Sequence, residues 1–461
     1  MPDVRGRFHF VGIGGAGMSG IARIMLARGL VVSGSDARHS PVLDELAALG
    51  ARVAVGHDAR NLAALGPGDT LVVSTAIRPE NPELVEASRR GMRVLHRAAA
   101  LAEVMAGRRV LAIAGTHGKT TTTSMLTTVL RDCGADPGYV IGGVLRETGL
   151  SAADGGGLDF VAEADESDSS FLLLSPDAAI ITNVEADHLD NYTDLRAIED
   201  AFTTFARRVT GLVVTCADDP GAREIAGRLD PARVRRYGES PDADYVLSDY
   251  KATGMGCVFA VTGTDGRYDS LSMLSLEVPG RHNALNATAA FAMAVELGYS
   301  PPRVATALAG FRGARRRLEP TGEARGVLVL DTYAHHPTEL AADLRAARDL
   351  AAPGGGRIIA VFQPHLYSRT RLFAAGFGSA LGLADIPVVL DVYAAREDPE
   401  PGVTGALIAD AVPGGGAHFE PDMAQVPALV ARLARPGDIV LTMGAGDVTN
   451  LGPEILEALR E

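Results

Sequence analysis

An alternation repeated along the whole chain restricts the fold more than any other feature. A short apolar run of strand-like character leads into a glycine turn, and the turn leads into a segment with helical spacing. Residues 8–11, 12–17 and 18–28 form the first instance; 110–114, 115–118 and 121–131 form the clearest. Strands linked through helices pair in parallel, so the pattern predicts α/β architecture. No repeat at solenoid or propeller periods interrupts it. At 461 residues the chain is longer than a single core usually organises, and its length suggests about three domains.

Three blocks follow from the alternation. The first, 1–106, carries expected strands at 8–11, 30–33 and 71–74 and helices at 18–28 and 44–49. The second, 107–320, carries strands at 110–114, 160–163, 179–182 and 212–215. Between 240 and 280 short strands are broken by Gly254, Gly263-Thr264-Asp265-Gly266 and Pro279-Gly280, which predicts a small antiparallel insertion. Helical segments at 284–297 and 304–311 close that block. The third, 321–461, has strands at 327–331, 358–362, 388–391 and 439–443. Its turns are Pro353-Gly354-Gly355-Gly356 and Pro413-Gly414-Gly415-Gly416.

Composition excludes several classes. With 47% hydrophobic and 22% charged residues the chain is not dominated by disorder. Three widely spaced cysteines (Cys133, Cys216, Cys257) do not make a disulfide scaffold and suit a reducing cytoplasm. A net charge of -14 argues against a nucleic-acid partner. No 18-residue apolar run predicts a membrane span, and the first residues lead into a strand without the apolar stretch of a signal peptide. Only Lys119 and Lys251 are lysines among 43 basic residues, and Lys119 lies in the strongest motif.

That motif is Gly115-Thr116-His117-Gly118-Lys119-Thr120-Thr121, a shortened phosphate-binding loop between strand and helix. Ile113 stands where the full pattern has glycine. Backbone amides would cradle phosphates, Lys119 would reach the terminal ones, and Thr120 would hold Mg²⁺. Upstream, Gly12-Ile13-Gly14-Gly15-Ala16-Gly17 also joins strand to helix, with Asp36 ending the next strand. Glycines there let a pyrophosphate approach a helix N-terminus; alone, this motif fits an NAD-dependent oxidoreductase equally well. The run Glu163-Ala164-Asp165-Glu166-Ser167-Asp168 closes the next strand of the second block with four carboxylates suited to a metal. His188 lies among acids after a further strand, and a metal or phosphate role is expected for it. Asn283 and Asn286 are three apart on one helix, so both are expected on one side. In Arg315-Arg316-Arg317 an arginine could reach a transferring phosphoryl group.

Taken in order, these segments resemble the Mur ligase family over essentially the whole chain. The segments are 12–20 (GIGGAGMSG), 115–122 (GTHGKTTT), 163–168 (EADESD), 183–190 (NVEADHLD), 280–286 (GRHNALN), 333–339 (YAHHPTE), 362–371 (FQPHLYSRTR) and 444–447 (GAGD). The resemblance implies three domains. The N-terminal Rossmann-like domain, 1–106, would bind a UDP-sugar. The central P-loop ATPase-type domain, 107–320, would bind ATP and Mg²⁺. The C-terminal Rossmann-like domain, 321–461, would bind an amino acid and close over the site.

The resemblance further implies an ATP-dependent ligase. It would join L-alanine to the lactyl carboxylate of UDP-N-acetylmuramate through an acyl phosphate, for peptidoglycan synthesis, as a cytoplasmic monomer or homodimer. Gly14, Gly15, Ala16, Gly17, Met18, Asp36, Ser74, Thr75 and Ala76 would hold the UDP-sugar. The loop Gly115–Thr121 with Asn283, Asn286, Arg317 and Asp331 would hold ATP. Thr120 and Glu163 would bind one Mg²⁺ and His188 a second. Tyr333, His335 and Arg369 would receive L-alanine, and Lys119, Glu163, His188, Arg317 and His335 would carry the catalysis. Related ligases that use a carbamoylated lysine need one between the acidic loops, and none stands between 120 and 250. A recycling ligase that adds a tripeptide to the same UDP-sugar is the alternative inside the family; a non-enzymatic nucleotide switch is the alternative outside it, beside the oxidoreductase. One departure stands out. The family pattern D-D-Y-[GA]-H-H-P has a second Asp, expected to help hold ATP, where this chain has Thr332; Asp331 or Thr332 would take that role.

Overall fold

The computed structural model describes residues 6–188, 191–264, 271–351, 354–395 and 397–461. Leu189, Asp190, the Asp265-Gly266 half of one expected turn, Pro353 and the first five residues lie outside that description. The chain forms two compact units. One is built on residues up to Leu247 with Val261–Ser272 and Asn286–Leu308; the other runs from Ala309 onward with Ser248–Ala260 and Met273–Leu285.

The first unit contains a five-stranded sheet in the spatial order Arg52–Val55, Val31–Asp36, Arg7–Val11, Thr70–Val73, Arg93–His96. Every neighbouring pair is parallel. Phe8, Phe10, Val11 and Leu71 are buried because the sheet is covered on both faces. The order reverses between Arg7–Val11 and Thr70–Val73, and ligands of doubly wound sheets bind outside the carboxyl ends of strands at such a reversal. The loops at that position are 12–15, which lead into the helix Ala16–Ala27, and 74–76.

A second sheet has ten strands. In spatial order they are Leu271–Leu276, Gly256–Gly263, Tyr245–Thr253, Val234–Gly238, Val213–Cys216, Ala178–Ile181, Arg109–Ala114, Asp159–Glu163, Gly138–Val140 and Ala152–Ala153. From Tyr245–Thr253 to Gly138–Val140 the neighbours pair in parallel. Tyr245–Thr253 and Gly256–Gly263 are linked by two residues, a connection that only antiparallel neighbours allow. The antiparallel stretch expected at 240–280 thus extends the sheet at one edge. At its centre Arg109–Ala114 runs between Ala178–Ile181 and Asp159–Glu163, in register from Ile113 to Glu163 and from Ala114 to Ile181. Three motifs singled out in the sequence therefore end three adjacent strands.

The second unit carries six strands in the order Glu319–Ala324, Val327–Thr332, Ile439–Met443, Ile358–Phe362, Ile386–Val389, His418–Phe419. The first pair is antiparallel and the rest are parallel. Ile358–Phe362 is buried throughout, with one core around Leu330, Leu344, Phe362 and Phe377 and another around Val329, Val361, Val440 and Ile455. The three cysteines are free and buried. Among the described residues no helix is long and apolar enough to cross a membrane.

Candidate active site

The buried strand Arg109–Ala114 leaves through Gly115–Gly118 into the helix Lys119–Asp132. Its glycines are required by space. Gly118 has φ +79°, and a Cβ there would lie 2.7 Å from Asn286 Oδ1; a Cβ at Gly115 would run into Thr182 Oγ1. The loop is moored to the end of the neighbouring strand. Thr116 N donates to the Asn183 carbonyl at 2.9 Å and His117 N to Asn183 Oδ1 at 2.8 Å. Asn183 Nδ2 and Thr182 Oγ1 donate to the His117 carbonyl at 3.0 and 2.6 Å. Glu185 N donates to Thr116 Oγ1 at 2.9 Å. Such anchoring preorganises the loop for a ligand.

Lys119 Nζ donates to the Gly115 and Thr116 carbonyls at 2.6 and 3.1 Å and to Glu166 Oε1 at 2.8 Å. Burial opposes its charge, but Glu166, Asp165 and Glu163 outweigh burial and hold its pKa above the ordinary lysine value. Burial likewise pushes Glu166 up to about 7, against the pull of Lys119. Glu166 Oε2 is buried with no hydrogen-bond partner.

Thr120 Oγ1 lies 3.0 Å from both oxygens of Glu163. Gly142 N donates to Glu163 Oε2 at 2.6 Å. A Cβ at Gly142 would sit 2.6 Å from Glu163 Oε1, and one at Gly143 would sit 2.9 Å from the Thr120 methyl. A hydroxyl and a carboxylate converging on one point are the hard oxygen donors that Mg²⁺ takes, so these residues fit that ion. His188 Nε2 is 3.9 Å from Glu166 Oε1 and 3.6 Å from Asp187 Oδ2. Its backbone adopts φ +51°, an uncommon conformation for a residue with a side chain.

In the five-stranded sheet, Asp36 Oδ2 accepts from Gly14 N at 3.0 Å, which closes the glycine loop on the end of the next strand. Gly15 precedes the helix Ala16–Ala27 without a side-chain cap, and Met18 is buried on its first turn. Ser74, Thr75 and Ala76 follow Thr70–Val73, and the Thr75 hydroxyl donates to Asp168 Oδ2 at 3.3 Å.

The second unit gathers another cluster. The Tyr333 ring lies 5.0 Å from the Arg316 guanidinium and 5.5 Å from that of Arg317. Arg317 Nη1 is 3.8 Å from Glu339 Oε1. His335 N donates to Glu339 Oε2 at 3.0 Å, and His335 Nδ1 is 3.0 Å from the Tyr333 carbonyl. That carbonyl can only accept, so the ring proton belongs on Nδ1 and Nε2 is the basic nitrogen. Arg369 is buried in the first turn of the helix Tyr367–Leu381. The Asp331 carboxylate accepts from Arg316 Nε at 3.0 Å, Thr442 Oγ1 at 2.7 Å and Thr449 Oγ1 at 2.9 Å. Thr332 is buried, and its hydroxyl donates to Asp343 Oδ2 at 2.5 Å.

The expected residues thus fall into groups. Gly115–Gly118, Lys119, Thr120, Glu163 and Asn286 come together, with Thr121 buried behind them in the helix. His188 stands by Glu166. Arg317, Tyr333 and His335 meet around Glu339. Asn283 and Asn286 share the helix Arg281–Glu296, but the Asn283 amide donates to the Pro279 carbonyl at 2.7 Å while Asn286 lies against Gly118. Sequence reasoning passed over Glu166, Gly142, Glu339 and Asp343 as individual residues. Glu166 and Glu339 sat inside quoted motifs, but a motif does not say which carboxylate meets which cation. Gly142-Gly143 was readable as a glycine pair after an apolar stretch; Asp343 carried no signal.

Comparison with known proteins agrees along the whole length. Residues 7–109 match the Mur ligase family, catalytic domain; 113–294 match the Mur ligase middle domain; 316–446 match the Mur ligase, glutamate ligase domain. The UDP-N-acetylmuramate–L-alanine ligase of Acidothermus cellulolyticus is 58% identical, over 99% of this chain and 95% of that protein. The enzyme of that name from Thermobifida fusca is 56% identical, over 99% and 97%. Among solved structures, the UDP-N-acetylmuramate–alanine ligase MurC of Thermotoga maritima is 30% identical with a TM-score of 0.83, covering 99% of both chains. A murein peptide ligase from Psychrobacter arcticus is 26% identical with a TM-score of 0.71 over the same share. Matched in order across all three blocks, and more than half identical to relatives along nearly its full length, this chain belongs to the Mur ligase family.

Proposed function

We propose that this chain joins L-alanine to the lactyl carboxylate of UDP-N-acetylmuramate, converting ATP to ADP and phosphate. The observation that carries the reading is the cradle around Lys119, with the Thr120–Glu163 pair beside it on adjacent strand ends. The names and high identity of the relatives support the substrates.

A carboxylate is a poor electrophile at neutral pH. Its oxygen attacks the γ-phosphorus of ATP, ADP leaves, and an acyl phosphate results. The alanine amine then adds to the acyl carbon, and the carbon–oxygen bond to phosphate breaks. Lys119 brings a retained positive charge to the β/γ-phosphates, the loop amides orient them, and Arg317 meets the transferring group. Thr120 and Glu163 would hold one magnesium ion and His188 a second; bound magnesium supplies neutralisation of phosphate charge. Asn283, Asn286 and Asp331 complete the ATP contacts. Gly14–Met18, Asp36 and Ser74–Ala76 hold the UDP-sugar. Arg369 grips the alanine carboxylate through paired hydrogen bonds, Tyr333 lines the pocket, and His335 Nε2 takes the proton that the attacking amine must lose. The reading assigns 1–106, 107–320 and 321–461 to the UDP-sugar, ATP and amino-acid domains of a cytoplasmic monomer or homodimer.

Lys119→Ala is expected to lower turnover by about a thousandfold or more while leaving UDP-N-acetylmuramate affinity nearly unchanged. Oxygen-18 placed in the lactyl carboxylate should appear in the released phosphate. Normal turnover by the variant, or label that stays in the product, overturns the mechanism. Labelling by a tripeptide instead of L-alanine overturns the choice of substrate.

A further inference from the structure

The acidic segment after the strand Asp159–Glu163 reaches beyond the ATP loop. Glu163 meets Thr120 and Glu166 meets Lys119. Asp165 Oδ2 accepts from Arg97 Nη2 at 3.2 Å. Asp168 Oδ2 accepts from Thr75 Oγ1 at 3.3 Å and lies 3.6 Å from His96 Nε2 and 4.0 Å from Arg97 Nη2. Thr75 follows the strand Thr70–Val73 of the five-stranded sheet, His96 ends its strand Arg93–His96, and Arg97 opens the helix Arg97–Met105 that leaves it. Two of the four carboxylates thus serve the ATP loop, and two serve residues of the other sheet.

Arg97 also adjoins the first turn of the helix Ala16–Ala27, which the glycine loop of that sheet opens. A Cβ at Gly17 would lie 2.9 Å from Arg97 Nη1 and 3.0 Å from its Cδ. The guanidinium therefore has one terminal nitrogen on Asp165 and the other beside the first helical turn after the glycine loop, with only 18% of the side chain exposed. His96 Nδ1 accepts from Ala98 N at 3.3 Å, and its buried Nε2 makes no hydrogen bond among the described residues. A planar guanidinium can serve a carboxylate with one edge and an anion with another, and the glycine loop opens a helix whose N-terminus favours an anion.

We propose that Arg97 contacts the anionic part of the sugar nucleotide at the Gly14–Gly17 loop while its other nitrogen stays on Asp165, and that residues 163–168 thereby couple occupancy of the sugar-nucleotide loop to occupancy of the ATP loop. The inference rests on the reading that the UDP-sugar binds at the five-stranded sheet. An anion on Arg97 fixes Asp165 and Asp168. Those in turn fix Glu163 and Glu166, the partners of Thr120 and Lys119. Linkage makes the effect mutual: each ligand tightens the other by the same factor.

The test is calorimetric titration of the full chain with UDP-N-acetylmuramate, alone and with a saturating non-hydrolysable ATP analogue plus Mg²⁺. The parent is expected to bind about fivefold tighter or more with the analogue present. Arg97→Gln should weaken sugar-nucleotide binding about tenfold and bring that ratio to about one, while affinity for the analogue alone and the thermal midpoint stay at parent values. Asp165→Asn should lower the ratio in the same direction and, combined with Arg97→Gln, should add nothing further. Arg97→Lys, which keeps the charge without a second nitrogen, should recover part of the affinity and none of the coupling. Should Arg97→Gln not fold, Asp165→Asn and Arg97→Lys carry the test. A ratio of one in the parent, or a parent-like ratio in the Arg97 and Asp165 variants, overturns the inference alone. Failure of the parent to bind UDP-N-acetylmuramate at all overturns the substrate reading and this inference with it.

Discussion

Thr332 is where the chain departs from its family pattern, and its surroundings give a reason. A carboxylate at 332 would stand at hydrogen-bonding distance from the buried Asp343; the neutral hydroxyl donates to Asp343 instead. His282 Nε2 is 3.6 Å from the other Asp343 oxygen. Burial pushes Asp343 up to about 7, with Thr332 and Arg317 opposing and Glu339 reinforcing. Burial, aided by Arg317 and opposed by Glu339, pushes His282 down to about 4. Between pH 4 and 6.5 the unfolded chain carries its proton on His282 and the folded chain carries it on Asp343. The proton counts match, so the pair contributes almost no slope of stability with pH. Asp343→Asn removes the compensating proton. Relative to the parent, the variant should lose stability as pH falls from 6.5 to 4, by at most about 1.4 kcal/mol per pH unit. Urea midpoints of both proteins at pH 4.5, 5.5, 6.5 and 7.5 read this directly; a difference that does not vary with pH counts against the pairing.

At the level of elements, the site depends on how one strand end holds the next. The Asn183 side chain both accepts from His117 N and donates to the His117 carbonyl, so it works as a clamp across two strands. Asn183→Ala should leave thermal unfolding nearly unchanged and weaken nucleotide binding about tenfold, since about 1.5 kcal/mol of charge-neutral hydrogen bonding shapes the loop. Fluorescent-nucleotide titration checks this, and unaltered affinity would deny the clamp. Elements with long apolar runs, such as Val327–Thr332 and Ile439–Met443, were legible because both faces are covered. Arg93–His96 and Val234–Gly238 were not: their sequences, RVLH and VRRYG, hold too few apolar residues to mark a strand. Glu319–Ala324, reading EPTGEA, has no apolar pattern at all. It is a strand because Arg325 and Gly326, both at positive φ, turn it back along Val327–Thr332.

On the scale of the whole molecule, residues of the first unit that flank the five-stranded sheet and the ten-stranded sheet are joined by a polar tie. Asp154 accepts from Arg28 Nε and Nη2 at 2.8 and 2.7 Å and from Arg108 Nη2 at 3.4 Å. Arg28 also donates to the Val104 carbonyl at 2.7 Å. All three side chains are largely buried, so Asp154→Ala strands two guanidinium groups without their counter-ion. A loss of about 2–3 kcal/mol is expected, seen as an earlier urea midpoint at unchanged slope. A midpoint within error of the parent would mean that packing alone holds the sheets together.

What the sequence determined by itself is what consecutive residues can encode. Apolar periodicity set the α/β class, and the glycine loops with their neighbouring Lys119, Thr120 and Asp36 set where phosphates belong, because glycine freedom and donor chemistry are local properties. The tertiary structure alone decided which acid of 163–168 faces Lys119, which faces Thr120 and which faces Arg97, how Gly142 closes on Glu163, and why Thr332 suits Asp343. Those partners lie from 11 to 68 residues apart in the chain. Strand order and helix packing bring them together, and no local pattern in the residues specifies that order.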